Sequence, residues 1–132
     1  MRLLVDTNLF LEVLLTQARS DESRTVLENR AGHELFVCDF AVHSIGLLLF
    51  RRRQHEVFRK FLQDVIGDAG VAVISLTAQE LDSLVEVAAR FNVDFDDAYL
   101  YRIAIKHGLR IMSYDADLDR TAEGRLLPAE VL

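Results

Sequence analysis

The chain has 132 residues, with 21 Asp and Glu against 15 Lys and Arg and a formal net charge of −6. That balance excludes a broad basic face for duplex DNA, and leaves nucleic acid within reach only where bound divalent cations meet the phosphates. A single cysteine, Cys38, leaves no internal disulfide or cysteine zinc site, and no apolar run reaches membrane-spanning length, so the composition predicts one cytoplasmic domain over residues 1–132 with no membrane span.

Leu3-Leu4-Val5 reads as a short buried strand, followed by a helix near Leu9 to Leu15. The stretch SDESRTVLENRAG has helical spacing at Val26 and Leu27 and is expected to stop at a Gly32 cap. ELFVC is a second strand. DFAVHSIGLLLFRRR is a strongly apolar helix with Asp39 expected as its N-cap and Arg51, Arg52 and Arg53 as a solvated C-terminal end. Gln54 to Ile66 places Val57, Phe58, Phe61, Leu62 and Val65 at the spacing of one amphipathic helix, broken by Gly67 to Gly70. VAVISL is a third strand. Thr77 to Phe91 is a helix opened by a Thr77/Glu80 capping box. Asp94 opens another helix, which ends at His107-Gly108; Tyr99 and Tyr101 on it are read as packing residues, and His33, His55 and His107 as exposed ends. LRIMSY is a fourth strand and RLLPAEVL a short fifth.

Strands separated by helices imply βαβ crossovers, and therefore an α/β fold with a small central parallel sheet flanked by helices in three layers. In such sheets ligands bind beyond the carboxyl ends of the strands. Asp6, Asp39 and Asp115 fall at three of those ends. Singly, each acid has a structural reading: Asp6 as a helix cap, Asp97 at the third position of a helix, Asp115 and Asp117 as turn formers. Gathered at neighbouring strand ends, carboxylates repel one another unless a cation bridges them. A hard divalent ion, Mg²⁺ or Mn²⁺, resolves that repulsion.

The segments LLVDTNLFL and DFDDAYLYRIAIKHGLRIMSYDADL resemble the PIN-domain ribonucleases, common among VapC-like toxins, and the resemblance runs from residue 2 to about 131. It implies a metal-dependent endoribonuclease that cuts RNA phosphodiesters with Mg²⁺ or Mn²⁺. Asp6, Asp97 and Asp115 match the family's metal-site aspartates, and Asp117 a position that is often acidic and sometimes involved, so all four are expected to hold the metal. Thr7 and Asn8 match its polar pair, and Ser113 the hydroxyl before the last strand-end acid. It also implies an antitoxin partner and a homodimer.

One position departs from the family pattern. The usual glutamate on the helix after the second strand is expected at Ile45 or Gly46, and neither is acidic. The loss implies weaker Mg²⁺ binding, and it supports an alternative reading as a catalytically degenerate domain that binds RNA or protein. Asp39, His43 and Gly46 share one helix face by spacing. His43 is therefore a candidate to point into the site, against the plainer reading of a packed histidine. The apolar run Ile45, Leu47, Leu48, Leu49 and Phe50 exceeds what one helix face can bury, which predicts association through it.

Overall fold

The apolar run Leu3-Leu4-Val5 forms the middle of the molecule. In the computed structural model, which describes residues 1–28 and 32–132, strand β1 (Arg2–Val5) is paired on both edges, and its three apolar side chains are fully buried. A strand covered on both faces needs no polar alternation, which explains its continuous apolar reading. β1 pairs in parallel with β2 (Glu34–Cys38) on one side and with β4 (Arg110–Met112) on the other. β3 (Ala72–Ile74) joins β2, and β5 (Arg125–Leu126) joins β4, so the parallel sheet has the order β3-β2-β1-β4-β5.

The helices α1 (Thr7–Leu14), α2 (Ser20–Glu28), α3 (Asp39–Arg51), α4 (His55–Phe61), α5 (Ala78–Leu81), α6 (Ser83–Phe91) and α7 (Phe95–His107) lie between the strands. Leu9 and Phe10 of α1, Ile45 and Leu49 of α3, and Ile103 of α7 form one core with β1, Val37 of β2 and Met112 of β4. The expected fold class, a small parallel sheet flanked by helices, is the one observed.

Four details differ from the sequence reading. The helix expected over Gln54 to Ile66 starts at His55 and widens into a π-helix at Leu62–Asp68. The helix expected from Thr77 to Phe91 is divided at Asp82 into α5 and α6, although its capping box is present, with Thr77 and Glu80 each accepting from the other's backbone N–H. The third difference bears on the site. The N-cap of α3 is Cys38, whose Sγ accepts from the Ala41 N–H at 3.3 Å, and Asp39 is the first helical residue. The helix expected to end at Gly32 crosses residues 29–31, which lie outside the described residues. Of the histidines expected at exposed ends, His55 is exposed whereas His33 and His107 are half-buried.

The strand order reverses direction at β1, since the chain leaves it toward β2 and later returns to its other edge as β4. Crevices in parallel sheets open at such a switch point, beyond the strands' carboxyl ends. The residues immediately after β1 and β4 are Asp6 and Ser113.

Candidate metal centre

Asp6 follows β1 in extended backbone and caps α1, its Oδ1 accepting the Thr7 N–H at 2.7 Å. Its Oδ2 accepts from the Ser113 hydroxyl at 2.6 Å and from the Asn8 side-chain amide at 3.3 Å. The same Asn8 amide donates to Ser113 Oγ at 3.1 Å, and Asn8 Oδ1 accepts the Tyr114 N–H at 3.2 Å. Ser113 Oγ in turn accepts the Asp115 N–H at 2.9 Å. These bonds tie the end of β1 to the end of β4. Thr7, Asn8 and Ser113 therefore all hydrogen-bond to Asp6.

The second part of the site comes from α7 and the turn after β4. Asp94 caps α7 by accepting the Asp97 N–H at 3.1 Å, and Asp115 caps the 3₁₀ turn Ala116–Arg120 by accepting the Asp117 N–H at 2.9 Å. Asp97, Asp115 and Asp117 each offer an oxygen, and these atoms lie within 4.8 Å of one another. Asp97 is only 4 % exposed, and its Oδ2 is buried without a hydrogen-bond partner among the described residues. An orphaned buried carboxylate oxygen is costly unless a cation takes it. Three carboxylates of this spacing form an all-oxygen donor set that fits a hard divalent cation and no soft one. Of the four acids expected to hold the metal, Asp97, Asp115 and Asp117 form the close set, while Asp6 stands outside it with both oxygens held by Thr7, Asn8 and Ser113.

The electrostatics carry the same signature. Burial pushes the Asp97 carboxyl up to about 7, and the charges of Asp115, Asp94, Asp6 and Asp117 add to the shift. Burial also raises Asp6, opposed by the hydrogen bonds from Ser113 and Thr7 and reinforced by the charges of Asp115 and Asp96. Asp96 is raised by burial and by Asp94. Raised carboxyl groups at a strand-end crevice mark a site set up to bind positive charge.

A cleft of about 240 Å³ opens over these groups, lined by Asp6, Asp97 and Asp115 together with Cys38, Phe40 and Ser44 from β2 and α3. The face of α3 that meets the cleft is thus Phe40 and Ser44. His43 is exposed outside the lining, Ile45 is fully buried in the core, and Gly46 faces Phe58, whose ring lies 3.2 Å from where a Cβ would sit. The expected inward face of Asp39, His43 and Gly46 is corrected accordingly. Phe40 and Ser44, four residues apart, each stand one residue beyond Asp39 and His43, and one residue is about 100° of rotation. Asp39 is engaged elsewhere, its Oδ1 accepting the Tyr99 hydroxyl at 2.7 Å and the Phe40 N–H at 2.8 Å. Tyr99 packs on Phe40 and Phe95, as expected of a packing residue. Sequence reasoning missed Ser44, Cys38, Asp94 and Asp96 as lining residues. The run DFDD contained a signal for the last two, since an acid at Asp94 and two more within one turn crowd charge at a helix start.

The sequence profile of the PIN domain matches residues 3–124. Among curated proteins none matches by sequence. Solved structures do match. A toxin–antitoxin complex from Klebsiella pneumoniae contains a chain 16 % identical at TM-score 0.72, with 95 % of this chain and 96 % of that one covered. The protein PAE2754 of Pyrobaculum aerophilum is 19 % identical at TM-score 0.68, with 99 % and 95 % covered. VapC20 of Mycobacterium tuberculosis, a toxin that cleaves the sarcin–ricin loop, is 20 % identical at TM-score 0.74, with 94 % and 96 % covered. At these identities the likeness is one of fold.

Proposed function

This chain belongs to the PIN domain family, and on that premise we propose that it is a divalent-cation-dependent endoribonuclease, the toxin of a toxin–antitoxin pair. The observation that carries the reading is the Asp97 Oδ2, buried and unpartnered on a residue that belongs to a close set of three carboxylates and lines the cleft. Asp97, Asp115 and Asp117 would hold Mg²⁺ or Mn²⁺. The bound ion supplies an activated water and charge stabilisation for in-line attack on an RNA phosphodiester. Asp6 fixes the register of the two strand ends through Ser113 and Asn8, and its own charge deepens the negative potential that retains the cation. Thr7 holds Asp6 in its capping geometry.

The toxin half of the proposal is supported by two of the similar structures, one from a toxin–antitoxin complex and one a toxin that cleaves the sarcin–ricin loop. It carries with it RNA as substrate, an antitoxin protein as partner and a cytoplasmic setting. No helix among the described residues is long and apolar enough to cross a membrane. Residues 1–132 act as one domain in this reading. A homodimer is supported by Leu47 and Phe50, 59 % and 53 % exposed on α3.

A second reading, a degenerate domain that binds RNA or protein without turnover, is favoured by Ser44. It stands where α3 faces the acids and supplies a hydroxyl rather than a carboxylate. Mn²⁺ and Mg²⁺ titration by calorimetry, followed by cleavage assays on single-stranded and structured RNA, decides between them. Metal-dependent cleavage abolished in Asp115→Asn supports the nuclease. Metal binding without cleavage of any RNA supports the binding module.

A further inference from the structure

The triad has a cation already in contact with it. Arg120 closes the 3₁₀ turn that Asp115 opens, and one of its terminal nitrogens lies 3.4 Å from Asp117 Oδ1. Its other terminal nitrogen donates to the Asn92 carbonyl at 2.9 Å. Asn92 is the left-handed cap of α6, just before the segment that brings Asp94 and Asp97 to the cleft. The guanidinium therefore spans the two chain segments that carry the carboxylate set. Among the described residues it is the arginine or lysine that pairs with a carboxylate of that set. Arg125 is held by Asp119 and the Tyr114 carbonyl, and Arg19 lies over the Tyr114 ring, 4.4 Å from its centre.

We propose that Arg120 is a counter-cation that changes partners: it neutralises Asp117 in the metal-free protein, and takes an RNA phosphate once a divalent cation claims the Asp117 carboxylate. This rests on the nuclease reading above. The ion pair with Asp117 is long and about half exposed on both sides, at 51 % and 53 %, and pairs of that kind are weak and readily exchanged. The anchor on Asn92 is shorter and independent of the acid. When Asp117 is lost as a partner, the guanidinium stays tethered through Asn92 beside the carboxylate set with N–H groups to spare. A planar fork of donors matches phosphate oxygens in both charge and geometry. An acidic chain also needs such a group. With a net charge of −6, the cleft repels every phosphate except the one the bound ion covers.

The competing role is a plain staple between the Asn92 segment and the Asp117 turn, and the two roles differ in sign. Removing a competing cation tightens metal binding, whereas removing a staple loosens the triad and weakens it. Arg120→Ala is therefore expected to bind Mn²⁺ about threefold more tightly by calorimetry. With Ca²⁺ in place of Mn²⁺, it should bind a short labelled single-stranded RNA about tenfold more weakly by fluorescence anisotropy. The slope of log affinity against log salt should fall by about 0.7, one phosphate contact on a single strand. Arg120→Lys should recover part of the RNA affinity by restoring the charge without the fork. Weaker Mn²⁺ binding in Arg120→Ala, or RNA affinity and salt slope equal to wild type, overturns the proposal while leaving the nuclease reading standing. A wild-type protein that binds Mn²⁺ but neither holds nor cuts RNA overturns both.

Discussion

Replacing Asp97 by asparagine should make the metal-free protein more stable and remove much of its pH dependence. The side chain is buried, and its carboxyl is raised from 3.8 to about 7 by that burial and by four neighbouring carboxylates. A raised acid holds its proton more tightly in the folded state than in the unfolded one. Its contribution is therefore fully present below the unfolded value near 3.8, and it is lost as pH rises through 7. Three units at about 1.4 kcal/mol each set an upper bound of about 4 kcal/mol over that window. Water reaching the cleft reduces this to roughly 2 kcal/mol. Asp97→Asn keeps the volume and loses the titration. In EDTA at pH 8 the variant should unfold at higher urea concentration than wild type, and at pH 5 the two curves should approach each other. Thermal unfolding should show the same ordering, with about 4 °C of Tm for each kcal/mol. Saturating Mn²⁺ should reverse the ranking, since an ion at a hundred times its Kd stabilises the wild type by about 2.7 kcal/mol and the variant by much less. Parallel stability curves from pH 5 to 8, or a variant weaker than wild type in EDTA at pH 8, would refute the reasoning.

Ser44→Glu, at the α3 position that lines the cleft, should raise Mg²⁺ affinity at least tenfold by calorimetry and lower metal-free stability by adding a fourth like charge. The same change at Ile45, fully buried in the core, should give no such gain and should unfold the protein, because it buries an unpaired charge. Ser113→Ala removes the donor to Asp6 Oδ2 and strands the Asp115 N–H, so it should cost about 1–3 kcal/mol in urea unfolding and weaken Mn²⁺ binding. Glu80, held down to about 2 chiefly by Lys106 and by the Thr77 cap, is a depressed acid whose contribution is present above about 4.5 and lost as pH falls through 2. Glu80→Gln should flatten that limb of the acid-unfolding curve and lower stability in the neutral range, where the contribution is fully present.

The centre of the sheet was readable because burial on both faces removes every polar position from β1, and a run such as Leu3-Leu4-Val5 offers water no face at all. Asp6 and Ser113 were each readable through their places at strand ends and the motifs that carry them, whereas the hydrogen bond between them was not. What escaped was rotation. Asp39 is the better cap by side-chain chemistry, yet the thiol of Cys38 accepts the Ala41 N–H, and the residues of α3 turned to the cleft are Phe40 and Ser44 rather than Asp39 and His43. That Asp117 rather than Asp6 completes the close carboxylate set depends on the fold of a short 3₁₀ turn, which no periodicity encodes. Nor does spacing reveal the widening of α4 into a π-helix, since Leu62 and Val65 still fall at intervals that suit either form.

Tyr99 gives the site a dependence on the far edge of the sheet. Its hydroxyl donates to Asp39 after β2 and accepts the Leu76 N–H at 3.1 Å after β3, while its backbone sits two residues beyond Asp97 on α7. β3 is a three-residue strand at the sheet's rim with Val73 exposed, the kind of segment that opens locally well before the whole molecule unfolds. Each such opening releases the Tyr99 hydroxyl and, with it, a restraint on the end of α7 that carries Asp97. The exchange rate of the Leu76 amide with deuterated solvent is therefore a gauge of how often the carboxylate set loses its alignment, read from a residue that touches none of the acids.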